Sequence, residues 1–127
     1  DGRDVALSLR GLWSGPQHIA EAAAWWACKI LAARAAGIGA DSYLEVRYED
    51  LVNHPETTLR LVCAFIELPW DERVLRYPER LAELGEGRAP DRSCIGVWRA
   101  KLDADEVRSF ELLAGSLLAE LGYDTVI

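Results

Sequence analysis

Three short segments hold the residues whose types and spacing could do chemistry. The first, Asp1-Gly-Arg-Asp-Val-Ala-Leu-Ser8, carries a hydroxyl on an opening helix. The second, Tyr43-Leu-Glu-Val-Arg-Tyr48-Glu-Asp-Leu, ends an alternating run in a phenol and then turns on two carboxylates. The third runs Asp91-Arg92-Ser93-Cys94-Ile95-Gly96-Val97-Trp98-Arg99 and sets a guanidinium and a hydroxyl just ahead of a glycine. A hydroxyl in the first turn of a helix can donate to a phosphate oxygen, where the helix dipole also favours negative charge. Arginine grips phosphate through paired hydrogen bonds, and tyrosine offers an apolar body with a polar tip. These are tools for binding a small phosphorylated molecule. Glu49 and Asp50 fit turn formation and a helix start better than acid–base work.

Composition narrows the classes further. The net charge is −7, from 14 basic and 21 acidic residues, which opposes a nucleic-acid binder that must displace counterions from a polyanion. A mononucleotide site survives that argument, because a few placed arginines and backbone amides suffice. Twelve of the 14 basic residues are arginine, which fits phosphate recognition and fits biased codon usage equally well. Cys28, Cys63 and Cys94 have no metal-like spacing, and His18 and His54 add no ligand set, so no metal is expected. Cys28 and Cys63 read as small core residues, and the odd number points to a reducing compartment. No apolar run reaches membrane-spanning length; residues 19–36 come nearest but contain Glu21, Lys29 and Arg34. With no export leader, a cytoplasmic location is expected.

The elements that must position these residues follow from periodicity. A first helix is expected over about Arg3 to Trp13, with Val5, Leu9 and Leu12 on one face, broken by Gly15-Pro16. A long alanine-rich helix from about His18 to Ala36 ends at Gly37 and Gly39. Leu44 and Val46 alternate with Glu45 and Arg47, which predicts a strand over 43–47. Pro55 opens a helix carrying Leu59, Val62, Cys63 and Ile66, and Leu68-Pro69-Trp70-Asp71 stops it. One or two short helices fill 71–84, and a flexible loop starts at Gly85 to Pro90 and runs to about Gly96. Asp103 and Glu106 form a capping box for a last helix whose stripe is Val107, Phe110, Ala114, Leu117, Leu118 and Leu121. A lone strand cannot be a stable sheet. It must pair with another chain or with sequence lying before residue 1.

Taken in order, the three segments resemble motifs of the sulfotransferase superfamily. In that family an arginine, seven residues and a serine hold the donor's 3′-phosphate. Ser8 matches the serine, and the arginine would stand one position before Asp1. Tyr48 looks like the tyrosine delivered to the adenine. Gly96, Trp98 and Arg99 match the ending of a late loop whose upstream basic and small residues, here Arg92 and Ser93, close over the 3′-phosphate. That upstream part departs from the Arg-Lys-Gly of the cytosolic branch. Trp98 reads as a packing anchor, and Arg3 matches no donor ligand and defaults to the solvated surface.

The resemblance implies an α/β, P-loop-NTPase-like sulfotransferase fold, here a mostly helical C-terminal fragment with one clear strand over about 43–47. The whole chain, 1–127, would be the C-terminal part of one domain whose phosphate-loop portion is absent. It implies transfer of a sulfuryl group from 3′-phosphoadenosine 5′-phosphosulfate to an acceptor hydroxyl or amine, without a metal. The donor-binding set is Ser8, Tyr48, Arg92, Ser93 and Gly96, and the catalytic base is not assigned. A small molecule or glycan is the expected acceptor, with lipid and peptide tyrosine also open. No phosphate loop of the Ser-Gly-Thr kind occurs in the 127 residues, so the chain alone is expected to be inactive. Two other readings compete: a helical interaction module docking through Trp25 and Trp26, and a nucleotide kinase, which lacks its Gly-x-x-x-x-Gly-Lys-Ser/Thr signature.

Overall fold

The computed structural model describes residues 1–37, 43–85 and 89–127. Their elements, in chain order, are α1 (Gly2–Arg10), α2 (Ile19–Gly37), α3 (Tyr48–Asn53), α4 (Pro55–Phe65), a 3₁₀ turn (Glu72–Arg76), α5 (Tyr77–Leu84), a second 3₁₀ turn (Arg92–Cys94), α6 (Trp98–Lys101) and α7 (Ala104–Glu120). The chain divides into two compact units, Asp1–Ile38 with Gly96–Ile127, and Gly39–Ile95. The expected helix stop at Gly39, and positions 86–88 of the expected loop, lie outside the described residues.

In the first unit, α2 packs against both α1 and α7. The stripe expected on α7 is the one that is buried: Val107, Phe110, Ala114, Leu117 and Leu118 face inward, with Leu121 half-buried. Ala22, Ala23 and Trp26 of α2 meet them, and the Trp26 and Phe110 rings lie 5.8 Å apart at 43°. Alanines on α2 let its partners approach closely. Gly2 of α1 does the same, because a Cβ there would lie 2.6 Å from the Trp26 ring. Helix α1 buries Gly2, Arg3 and Ala6 most deeply; of the expected face, Val5 packs half-buried against the core, while Leu12 is exposed. It also ends earlier than expected, with Gly11 as its C-cap and Leu12 and Trp13 exposed. Helix α7 begins as the capping box requires. The Asp103 side chain accepts from the amides of Asp105 and Glu106, and Glu106 reaches back to the Asp103 amide at 3.1 Å.

Two expectations about single residues are corrected in this unit. Cys28 is exposed and so is not a core residue. Arg3, expected at the solvated surface, is fully buried.

In the second unit the α/β expectation is overturned, because no strand occurs among the described residues. Residues 43–47 carry no regular hydrogen-bonded structure, although Arg47 keeps extended backbone angles of φ −77° and ψ 138°. A strand is held by its ladder to a neighbour, and the described residues supply none. Its apolar side is not covered either, since Val46 is 41 % exposed. Tyr48 opens a short helix, α3, that the alternation pattern did not announce.

His54 separates α3 from α4 with φ −134° and ψ 57°, and Pro55 starts α4 as expected. Thr58 and Cys63 are the buried residues of α4, while Ile66 stays exposed. The end of α4 is a reversed turn: Glu67 takes φ 58°, Leu68 N–H donates to Cys63 O at 2.9 Å, and Glu67 N–H donates to Ala64 O at 3.2 Å. Beyond it the Arg60 guanidinium lies 4.3 Å over the Trp70 ring.

Candidate functional site: two anchored segments

The five candidate binding residues fall in both units: Ser8 and Gly96 in the first, Tyr48, Arg92 and Ser93 in the second. In the second unit the structure brings the tyrosine motif to the late loop. The Tyr48 hydroxyl accepts the Asp91 N–H at 2.8 Å and donates to the Asp91 carbonyl at 3.2 Å. Both bonds clasp the start of the Arg92–Cys94 turn. Partial burial pushes the Tyr48 phenol above its ordinary value; the Asp91 N–H opposes that shift and the Cys94 thiol adds to it.

Asp91 also caps this turn. Its carboxylate accepts the Ser93 amide at 3.0 Å and the Ser93 hydroxyl at 2.5 Å. The Ser93 hydroxyl is thus committed to a carboxylate and must rotate away before it can donate to a phosphate. Arg92 is differently placed. It is exposed, and among the described residues no carboxylate neutralises it. By contrast, Arg60, Arg73, Arg76 and Arg80 of the same unit are each paired with a carboxylate.

In the first unit, Gly96 is held from α1. Asp4 Oδ2 accepts the Gly96 N–H at 2.7 Å, and Asp4 Oδ1 accepts the Trp98 N–H at 2.8 Å. Gly96 adopts φ 72°, a left-handed backbone that favours glycine; a Cβ there would also sit 2.8 Å from Arg99 Nη1, which the flexible arginine could relieve by moving. Trp98 is buried and anchors the loop. The Arg3 guanidinium lies 3.8 Å over its ring, and the Arg99 guanidinium 4.6 Å.

Ser8 is exposed and sits near the C-terminal end of α1, not in its first turn. The dipole argument for Ser8 therefore fails, and any phosphate contact from it rests on the hydroxyl alone. The N-terminus of α1 is instead capped by Asp1, whose carboxylate accepts the Arg3 amide at 2.9 Å.

Sequence reasoning missed Arg3, Asp4 and Glu111. The Arg3 Nη1 donates to Glu111 Oε1 at 2.6 Å, while its Nη2 donates to Asp1 and to the Asp124 carbonyl, each at 2.8 Å. Burial pushes the guanidinium below its usual value, and Glu111 opposes this by hydrogen bond and by charge. The available signal was Glu111 itself. It lies four residues after Val107 and three before Ala114, on the buried stripe, where a carboxylate needs a cation.

Among the described residues no cluster of three or more His, Cys, Asp or Glu could hold a metal ion. None of the described helices is long and apolar enough to cross a membrane.

A profile of the sulfotransferase family matches residues 4–72, more than half of the chain. Among curated proteins, the chain is 33% identical over 98 residues to protein-tyrosine sulfotransferase 1 of Danio rerio, covering 67% of this chain and 27% of that one. It is 28% identical over 109 residues to protein-tyrosine sulfotransferase A of Caenorhabditis elegans, covering 77% and 28%. It is also 28% identical over 111 residues to the protein-tyrosine sulfotransferase of Drosophila melanogaster, covering 77% and 22%. The match thus spans about a quarter of the length of these relatives. No solved structure matches. These relatives overturn the cytoplasmic placement expected above, since the likeness found is to animal protein-tyrosine sulfotransferases. The order of the three segments and the profile spanning the first two agree: the chain belongs to the sulfotransferase family.

Proposed function

We propose that this chain is the C-terminal part of one sulfotransferase domain and helps to bind 3′-phosphoadenosine 5′-phosphosulfate for transfer of its sulfuryl group. The acceptor in this reading is the phenol of a protein tyrosine, which the names of the relatives favour over a small molecule or glycan. The observation that carries the reading is the Arg92 turn. An exposed guanidinium, without a carboxylate partner among the described residues, stands on a segment that Tyr48 clasps through Asp91.

The residues present fit a 3′-phosphate in part. Arg92 would supply the charge, and Ser93 would donate once its hydroxyl leaves Asp91. In this reading Tyr48, on the same unit as Arg92 and Ser93, would meet the purine, and Ser8 and Gly96 of the other unit are donor contacts by family resemblance alone. When bound, the donor supplies the activated sulfuryl group, and the role of this chain is to hold and orient its nucleotide end. Group transfer of this kind draws its catalysis mainly from positioning and charge stabilisation. The 127 residues contain no phosphate loop to grip the 5′ end, so the isolated chain is expected to bind nucleotide weakly and to transfer nothing.

Calorimetric titration with 3′-phosphoadenosine 5′-phosphate tests the proposal. Binding in the millimolar range or tighter is expected. Arg92→Ala should weaken it about tenfold or more, as loss of a charge-assisted bond of about 1.5–3 kcal/mol implies. No heat at millimolar nucleotide would favour the helical interaction module instead.

A further inference from the structure

We infer that Asp4 is a positioning residue for the donor nucleotide, acting through the Gly96–Trp98 loop; this rests on the donor-binding reading above. Asp4 lies in the first turn of α1, inside the segment Asp1–Ser8, and its two carboxylate oxygens take the N–H groups of Gly96 and Trp98 at 2.7 and 2.8 Å. One side chain thus joins the first of the three motif segments to the ending of the third.

The geometry explains why a carboxylate stands here. Helix α6 has four residues, and its N-cap, Val97, offers no side-chain bond; the Arg99 and Ala100 N–H groups turn back to the carbonyls of Gly96 and Val97, and the Trp98 N–H goes to Asp4. A helix that short does not persist unaided. Gly96 adds a left-handed backbone step immediately before it. Two converging N–H groups on such a turn form a small positive concavity, which an anionic side chain fills. Arg3, the next residue along α1, presses on the Trp98 ring from 3.8 Å. Residues 3 and 4 therefore hold the same loop residue by its ring and by its backbone. Arg99 follows directly, with no carboxylate partner among the described residues, so Asp4 also determines where that charge is presented.

The test measures two quantities on the same ¹⁵N-labelled chain: amide hydrogen exchange at Gly96 and Trp98, and the affinity for 3′-phosphoadenosine 5′-phosphate by calorimetry. Asp4→Ala should raise exchange at both amides at least tenfold, leave the amides of α7 around Phe110 protected, and weaken nucleotide binding about tenfold. Asp4→Asn retains one acceptor and should fall between, which also covers the case in which the alanine variant does not fold. Rapid exchange with unchanged nucleotide affinity would make Asp4 a structural clasp only and overturn the inference while leaving the donor reading intact. Unchanged exchange would overturn the clasp itself. Absence of nucleotide binding by the unaltered chain would defeat the donor reading, and the inference with it.

Discussion

Arg3 and Glu111 form a fully buried ion pair, Nη1 to Oε1 at 2.6 Å, between the first turn of α1 and the middle of α7. Glu111 spends its other oxygen on the amides of Val126 and Ile127, at 2.8 and 3.1 Å, and Arg3 reaches the Asp124 carbonyl. The pair therefore ties two helices and the C-terminal tail together, and the Asp1 carboxylate joins it on the other side of Arg3 at 2.8 Å. Its energetic weight lies less in attraction than in the cost of separating the partners, because Glu111 without Arg3 would be a buried charge with no cation.

That asymmetry gives a double-mutant prediction. Arg3→Leu alone should destabilise the first unit by about 3–5 kcal/mol, since Glu111 is left buried and unpaired. Arg3→Leu combined with Glu111→Leu should cost clearly less than the sum of the two single changes. Urea midpoints for the four proteins check this, and simple additivity would show that the pair is not coupled.

Glu67 offers a stabilising change. It holds φ 58° at the end of α4, a conformation that costs an L-residue with a side chain about 1 kcal/mol or more. Glu67→Gly should raise stability by about 0.5–1 kcal/mol, and Glu67→Val should lower it, because a β-branched side chain suits this backbone least. Thermal midpoints of the two variants should move in opposite directions.

Acid should loosen the cap of the first 3₁₀ turn. Hydrogen bonds from the Arg73 side chain, and then from its amide, hold the Asp71 carboxyl down at about 2 against an ordinary 3.8. A depressed carboxyl contributes stability that is present above its unfolded value and lost as pH falls through the folded one. The Glu72–Arg76 turn should thus keep its cap at pH 5 and lose it between about 4 and 2. A carboxyl-carbon NMR titration of Asp71 should show its midpoint near 2, and Arg73→Ala should return it toward 3.8.

The parts of the fold legible in the sequence were those closed by neighbours along the chain. Asp103 and Glu106 stand three residues apart and cap α7 with each other, and Pro55 starts α4 where its missing N–H costs nothing. The stripe from Val107 to Leu118 was readable because a helix repeats its faces every three to four residues. The late loop was recognisable as a motif from Gly96, Trp98 and Arg99, although nothing local said what would hold it.

Tertiary structure decided everything that depended on partners far away in sequence. Arg3 looked like a surface residue until Glu111, 108 positions later, gave its charge a buried partner. Asp4 had no reading until α1 packed where its carboxylate met the amides of Gly96 and Trp98. The run 43–47 alternated like a strand, yet alternation specifies which side chains share a face and not whether a neighbour is present to complete the hydrogen bonds. A caps-and-periodicity signal is written within one turn of helix, whereas a buried charge, a loop clasp and a β-ladder exist only where packing supplies the second partner.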